Sequence, residues 1–392
     1  MNKVKVIFAG DTFPVSNNMR LFAEGRTEEI FSKKVCGLFQ TADYSVCNLE
    51  GCLTDTGKPV QKVGPNVKAP TNTLNAISSL GIKAATLANT HTFDFGTVGH
   101  NEMRSALKKY NIDFFGTGDS INDIKTHITL DIKGKKITLY TVTELFAFNT
   151  PDKDTPGANG YDEYRICREL AVLKEKCDYL VVLYHGGVEM THFNTAGIRR
   201  RFHRMADNGA DIVISQHTHA IGFEEYYNNS YLLYGQGNFC FNLSKTVSEF
   251  TAMGILLEVI FGENGFDIKK HLVHRTETGC EYDVKQDFSA FEERSSLHDR
   301  LIKGDKDAED FFEKEFSEYC RNMWFTRLMR VFRGINPEDD KALADLSEKE
   351  QETYLISRFT KKQLSAIQMM LDNDEFNEIA LNFITQIIKN KE

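Results

Sequence analysis

The chain has 392 residues, 41% hydrophobic and 26% charged, with a formal net charge of −9. Those proportions are ordinary for a globular protein, and the length suits a large catalytic-size domain plus an extension. The acidic balance and the lack of any long basic run exclude nucleic acid as a main partner, since binding it needs a dense cationic face.

The N-terminus, "MNKVKVIFAGD", enters a strand pattern directly. Its apolar run is too short for a signal-peptide core and no small-residue cleavage site follows. No stretch reaches the roughly eighteen apolar residues of a membrane span. The eight cysteines are scattered without a C-x-x-C pair, which argues against a thiolate zinc site or a thioredoxin motif. Reduced, partly buried thiols in a cytoplasmic protein are the expectation, Cys47 and Cys52 among them as packing residues.

Strand-like and helix-like patterns then alternate. "KVKVIFAG" ends at Gly10-Asp11 and is followed by helical spacing through "RTEEIFSKKVCGLFQ". "DYSVCNLEG" reads as a second strand, "TNTLNAISSLG" as a helix with a glycine stop, and "IKAATLAN" as a third strand. "TVGHNEMRSALKKYN" is predicted helical, with His100 on its surface, and "IDFFGTG" is a fourth strand. "HITLDIKGKKITLYTVT" reads as a hairpin turning at Lys-Gly. After the Pro/Gly-rich "TPGANGYDE", the helix "RICRELAVLKEKC" leads to the strand "DYLVVLYHGG", and the helix "AGIRRRFHRMADNG" to "ADIVISQHTH". "GFEEYYNNSYLLYGQGNF" is a second hairpin, turning at Asn228-Asn229, and "FTAMGILLEVIF" and "FDIKKHLVHR" add two strands. From Asp287 glycine nearly vanishes and apolar residues recur at helical spacing. The division expected is therefore residues 1–286 as the α/β domain and 287–392 as a helical extension. Its apolar residues (Phe311, Phe312, Phe316, Trp324, Leu328, Ile379 and Phe383) predict packing rather than disorder.

Strand after strand ends in a polar residue: Asp11; Asn48 and Glu50; Asn89 with His91 and Asp94; His185; His217 and His219. Parallel strands place such ends on one edge, where open α/β sheets bind ligands. His217 and His219 point the same way if the strand persists through them. Carboxylate, amide oxygen and imidazole form a donor set suited to divalent Zn, Mn or Fe. A carboxylate between two imidazole-rich half-sites can bridge two ions about 3.5–4 Å apart, clamp a phosphate and activate water. Glu189 and His192 follow His185 on a strand-end loop and are placed to line a substrate mouth. Arg199, Arg200, Arg201 and Arg204 read as a solvated helix face, or alternatively as an anion-reading patch.

"AGDTF", "CNLEG", "LANTHTFDFG", "YHGG", "GADIVISQHTH" and "GQGNFCF" together resemble the ordered motifs of the CapA (poly-γ-glutamate capsule biosynthesis) family, which is related to calcineurin-like metallophosphoesterases. The resemblance runs from about Val4 to Asn242. It implies a metallophosphatase-like four-layer α/β/β/α sandwich, with the helical C-terminal extension outside it. It implies Asp11 as ligand to a first metal, with Glu50 or Asn48 in the bridging position and Asn89 in the metal set. His185 and His217 would bind one metal and His219 the other. His91 resembles a histidine that assists the leaving group, Asp94 its orienting carboxylate, and Asn238 a ligand-contacting residue. The chain departs from the pattern at Phe13, where the phosphoesterases carry a histidine, and at Thr90, where an asparagine is usual; these changes leave one of the two metals short of a ligand. The function implied is that of a bacterial metal-dependent hydrolase-like protein in synthesis or processing of poly-γ-glutamate or a related anionic polymer. The alternatives are a non-catalytic partner in a capsule-synthesis complex, docking through the C-terminal helices, and a phosphoesterase acting on small phosphoesters.

Overall fold

Two strand patterns govern the architecture: alternating apolar residues that face two different cores, and parallel strands that end together. The computed structural model describes residues 3–319, apart from 16, 63, 147–148, 242–247 and 249, and scattered positions between 347 and 363. In chain order the principal elements are β1 (Val4–Phe13), α1 (Lys33–Gln40), β2 (Tyr44–Leu49), α2 (Leu74–Leu80), β3 (Ala84–Thr86), α3 (Gly96–Lys109), β4 (Asp113–Phe115), β5 (His127–Ile132), β6 (Lys135–Thr143), α4 (Glu163–Lys174), β7 (Tyr179–His185), α5 (Ala196–Asp207), β8 (Ile212–Gln216), β9 (Glu224–Tyr227), β10 (Ser230–Leu233), β11 (Asn238–Phe241), β12 (Met253–Phe261), β13 (Phe266–Arg275), β14 (Cys280–Tyr282), α6 (Ser289–Ile302) and α7 (Lys306–Tyr319).

One sheet runs β14-β13-β12-β1-β2-β3-β4, with β11 pairing on the far end of β1; the other runs β9-β10-β8-β7-β6-β5. β1, β2, β3 and β4 are mutually parallel, as are β6, β7, β8 and β10. Both predicted hairpins form: Lys133-Gly134 and Asn228-Asn229 all have positive φ, the twist a two-residue hairpin turn requires.

Alternation sorts the strand residues into layers. Val4, Val6 and Phe8 of β1 meet Leu139, Val181, Leu183, Ile212 and Ile214 of the second sheet in one buried core between the sheets. Ile7 and Ala9 face the other way, against Leu38 and Phe39 of α1, Ile77 of α2 and Met103 of α3. On the outer face of the second sheet, Tyr184 packs edge-on against Phe202 of α5, with Ile166 and Leu170 of α4 also buried. The order is α/β/β/α, the metallophosphatase-like sandwich expected.

The chain divides into two compact units, Met1–Ala308 and Glu309–Glu392. α6 therefore belongs with the sandwich, where Phe291 joins the core between the sheets. In the second unit Phe311 and Phe316 are 38% and 40% exposed, a departure from the burial their spacing predicts. The expectations for Trp324, Leu328, Ile379 and Phe383 lie outside the described residues. Among the described residues no helix is long and apolar enough to cross a membrane.

Candidate metal centre

The strand registers line up the site. Across the first sheet Asn238, Asp11, Asn48 and Thr86 stand opposite one another in turn; across the second, Thr143, His185 and Gln216 do. Gly10 permits the first alignment, because a Cβ there would lie 2.2 Å from the carbonyl oxygen of Gly237. The sheets are tied together at this edge. Gln216 Nε2 donates to the Ala9 carbonyl at 3.2 Å, Gln236 Nε2 to the Phe8 carbonyl at 2.7 Å, and the His217 N–H to Asp11 Oδ2 at 3.1 Å.

Two carboxylate–imidazole groups result. Glu50, His185 and His217 form one, and Asp11, Glu50 and His219 the other; in each, the candidate ligand atoms all lie within 4.8 Å of one another. Glu50 is common to both, as a bridging carboxylate would be. All five side chains are buried, yet both Glu50 oxygens, His185 Nε2 and His217 Nδ1 have no hydrogen-bond partner. Orphaned polar atoms at such depth demand an explanation, and a cation bound by these atoms supplies one. The electrostatics agree. Burial, reinforced by the Asp11 carboxylate, raises Glu50 well above the usual carboxyl range. Burial also lowers His185 and His217, so they stand as neutral imidazoles. Burial alone would raise Asp11, but the hydrogen bond and charge of His219 bring it far below the usual range. A divalent cation would hold Glu50 ionised beside the neutral imidazoles of His185 and His217, so the residues fit a metal.

The loop geometry departs from the sequence expectation. β8 ends at Gln216, and His217 and His219 are left-handed, with φ of +86° and +57°, rather than extended. The rings do not aim at one point along a strand; the loop delivers His217 to one group and His219 to the other. Such backbone is costly for non-glycine residues and concentrates at functional sites.

Asn48 and Asn89 sit at the site with their polar atoms engaged by protein. Asn48 Nδ2 donates to Asp11 Oδ1 at 2.7 Å and lies 3.1 Å from His185 Nδ1. Its Oδ1 accepts from Thr86 and Asn89. Asn89 Oδ1 in turn accepts from the His91 N–H and the Thr92 hydroxyl. Both asparagines are thereby arranged to orient neighbours. Asn238 Oδ1 lies 2.9 Å from His219 Nδ1, a contact that fixes the ring's tautomer and leaves Nε2 for a ligand. The first-motif departure has a physical form: Phe13 is buried with its ring packed on Gly51, where a Cβ would lie 2.5 Å away.

His91 belongs to neither carboxylate–imidazole group. Its Nδ1 is 2.7 Å from Asp94 Oδ2, and Asp94 is fully buried and also accepts from the Val67 N–H at 2.7 Å. Sequence reasoning missed Lys62. Its ammonium pairs with Asp94 Oδ1 and sits 3.3 Å from His91 Nδ1, with the side chain only 5% exposed. Glu189 Oε1 lies 3.5 Å from His217 Nε2 at the exposed rim. His192 Nδ1 is 2.8 Å from the Ile221 carbonyl, at the foot of the His217–His219 loop. Arg201 bonds Glu144 and Tyr184, and Arg204 pairs with Glu163, so these two are tied into the protein surface. His100 is a correction: it is fully buried, 3.0 Å from the Thr117 hydroxyl and packed on Phe93.

A sandwich of two mixed sheets, with carboxylates and imidazoles gathered where their parallel strands end, is a metallophosphatase-like arrangement. The chain belongs to the bacterial capsule synthesis protein family PGA_cap, whose family model matches residues 5–243. It is 24% identical over 259 residues to the capsule biosynthesis protein CapA of Bacillus anthracis, covering 64% of this chain and 63% of that protein. It is 26% identical over 220 residues to the PGA biosynthesis protein CapA of Bacillus subtilis (strain 168), covering 55% and 58%. The chain thus spans less than two thirds of each relative. Among solved structures, a hypothetical protein from Thermus thermophilus is similar at 14% identity and a TM-score of 0.45, over 70% of this chain and all of that one. The NAD nucleotidase of Haemophilus influenzae is similar at 12% identity and 0.44, over 84% and 70%.

Proposed function

We propose that this chain is a metal-dependent hydrolase of capsule metabolism, acting on a poly-γ-glutamate-like or related anionic polymer. The observation that carries the reading is Glu50: a fully buried carboxylate without a hydrogen bond, shared by two groups of imidazole and carboxylate. Asp11, Glu50, His185, His217 and His219 would hold one or two divalent ions of the Zn, Mn or Fe kind. When bound, such an ion polarises an ester or amide centre and lowers the pKa of water. The protein's own residues do the rest. Asp94 holds the His91 Nδ1 proton and so sets the ring's orientation, and His91 delivers a proton to the departing oxygen or nitrogen. Lys62 balances the buried charge of Asp94. Asn48 and Asn238 keep Asp11 and His219 aligned, and Glu189 stands at the mouth.

A second reading, a non-catalytic capsule-complex partner, is favoured by Phe13 and Thr90, which remove two donors the phosphoesterases use. Metal analysis of protein purified without chelator, with a screen of γ-glutamyl peptides and phosphoesters, separates the two. Metal with turnover supports the hydrolase, and turnover confined to phosphoesters makes it a phosphoesterase of small substrates. Metal without turnover supports the partner, and failure to bind any divalent ion overturns the metal centre.

A further inference from the structure

The family match ends at residue 243, yet a helix beyond it packs on the segment that leads out of the metal-ligand loop. α6 engages five consecutive residues immediately C-terminal to that loop. Arg294 Nη2 donates to the Ile221 carbonyl at 3.1 Å and Nε to the Gly222 carbonyl at 2.9 Å. The His298 ring packs on Phe223, with centroids 4.5 Å apart. The Glu224 N–H donates to Ser295 Oγ at 3.1 Å, and His298 Nε2 lies 3.1 Å from Glu225 Oε2. α6 is itself anchored by Phe291, 3% exposed in the core between the sheets.

Only two residues separate His219 from Gly222. The left-handed backbone at His217 and His219 persists only if its surroundings over-determine it. From the N-terminal side β8 supplies that constraint through its pairing with β7 and β10. On the C-terminal side a planar guanidinium fork fixes two successive carbonyls. We infer that Arg294 is a positioning residue: through it, α6 holds the His217–His219 loop in the conformation that presents both imidazoles. The metal centre is then completed by a helix outside the family-matched segment. This rests on the metal-centre reading above.

The test uses the full chain and Arg294→Ala, Arg294→Lys and, as a control for general loss of stability, Leu80→Ala in α2. Hydrogen exchange at residues 217–222 is measured without metal, and affinity for Mn²⁺ by competition with a chelator. Arg294→Ala is expected to speed exchange at 217–222 and to weaken Mn²⁺ binding about 10- to 100-fold, the usual cost of losing a partner behind a ligand. Arg294→Lys, which keeps the charge but not the fork, should recover only part of the loss. Leu80→Ala should lower thermal stability with both readouts at wild-type values. Unchanged exchange at 217–222 in Arg294→Ala overturns the inference, as does faster exchange with unchanged affinity. If the wild type binds no Mn²⁺ or Zn²⁺, the metal reading has failed on its own, and the exchange comparison alone decides whether Arg294 braces the loop.

Discussion

A carboxyl buried away from hydrogen-bond donors holds a proton more tightly, and at Glu50 protons compete with any cation for the same oxygens. Glu50 is raised; burial alone would lower His219, but the hydrogen bond and charge of Asp11 raise it; and His185 and His217 are lowered into their neutral forms, so acid should weaken metal binding through Glu50 and His219. Calorimetry in buffers of different ionisation enthalpy should show protons released as the ion binds; release unchanged in Glu50→Gln would contradict the part assigned to Glu50. His91→Ala should retain metal while turnover falls about 10²–10⁴-fold, the range for loss of a general acid. Kinetics and metal analysis on one preparation check it, and loss of the metal would make His91 a ligand instead. Lys62→Met should leave metal content intact and reduce turnover, because the Asp94 carboxylate that orients His91 loses its buried ion-pair partner. The strand-end residues were readable because Asp11, Glu50, His185 and His217 each close an apolar run. Lys62 was not, since it lies in the loop "GKPVQKVGP", without periodicity, 29 residues before His91. His100 misled for a related reason: its partner Thr117 comes from a separate short strand, a tertiary contact that helical spacing does not report.

Among the elements, α6 and β9 meet through Glu225. Burial would raise this carboxyl, but hydrogen bonds from His298 and His203 hold it down at about 2, and Tyr234 adds a third donor. A depressed carboxyl contributes stability that is fully present above its ordinary value of 4.5 and is lost as pH falls toward 2. The thermal midpoint of the wild type should therefore exceed that of Glu225→Gln at neutral pH, with the gap closing between about pH 4.5 and 2. A gap independent of pH over that window would mean the carboxylate charge is not what secures the helix. Strands and hairpins were legible through their two-residue periodicity and turn chemistry, as Asn228-Asn229 illustrates. The end of β8 was not: the apolar run "ADIVI" continues smoothly into "SQHTH", and nothing in residue type announces that His217 turns left-handed. That turn is imposed by partners far away in sequence, such as the Asp11 carboxylate on the His217 N–H.

For the molecule as a whole, the composition change near Asp287 and the compact division after Ala308 fall on opposite sides of α6. Composition registers where glycine disappears; packing registers where side chains are buried, and Phe291 and His298 are buried with the sandwich. A chain ending at Ala308 should keep its metal and most of its thermal stability, whereas one ending at 286 should lose both, as read by metal content and melting of the two truncations side by side. The proposed ligands are divided between the layers: Asp11 lies on a strand of the first sheet and Glu50 follows another, while His185 ends a strand of the second sheet and His217 and His219 follow its neighbour. An ion gripped by both would be a rivet through the sandwich, and its removal should loosen the whole domain. At a free ion concentration one hundred times the dissociation constant, that rivet is worth about 2.7 kcal/mol against unfolding. Metal supply would then set how much of the protein stays folded.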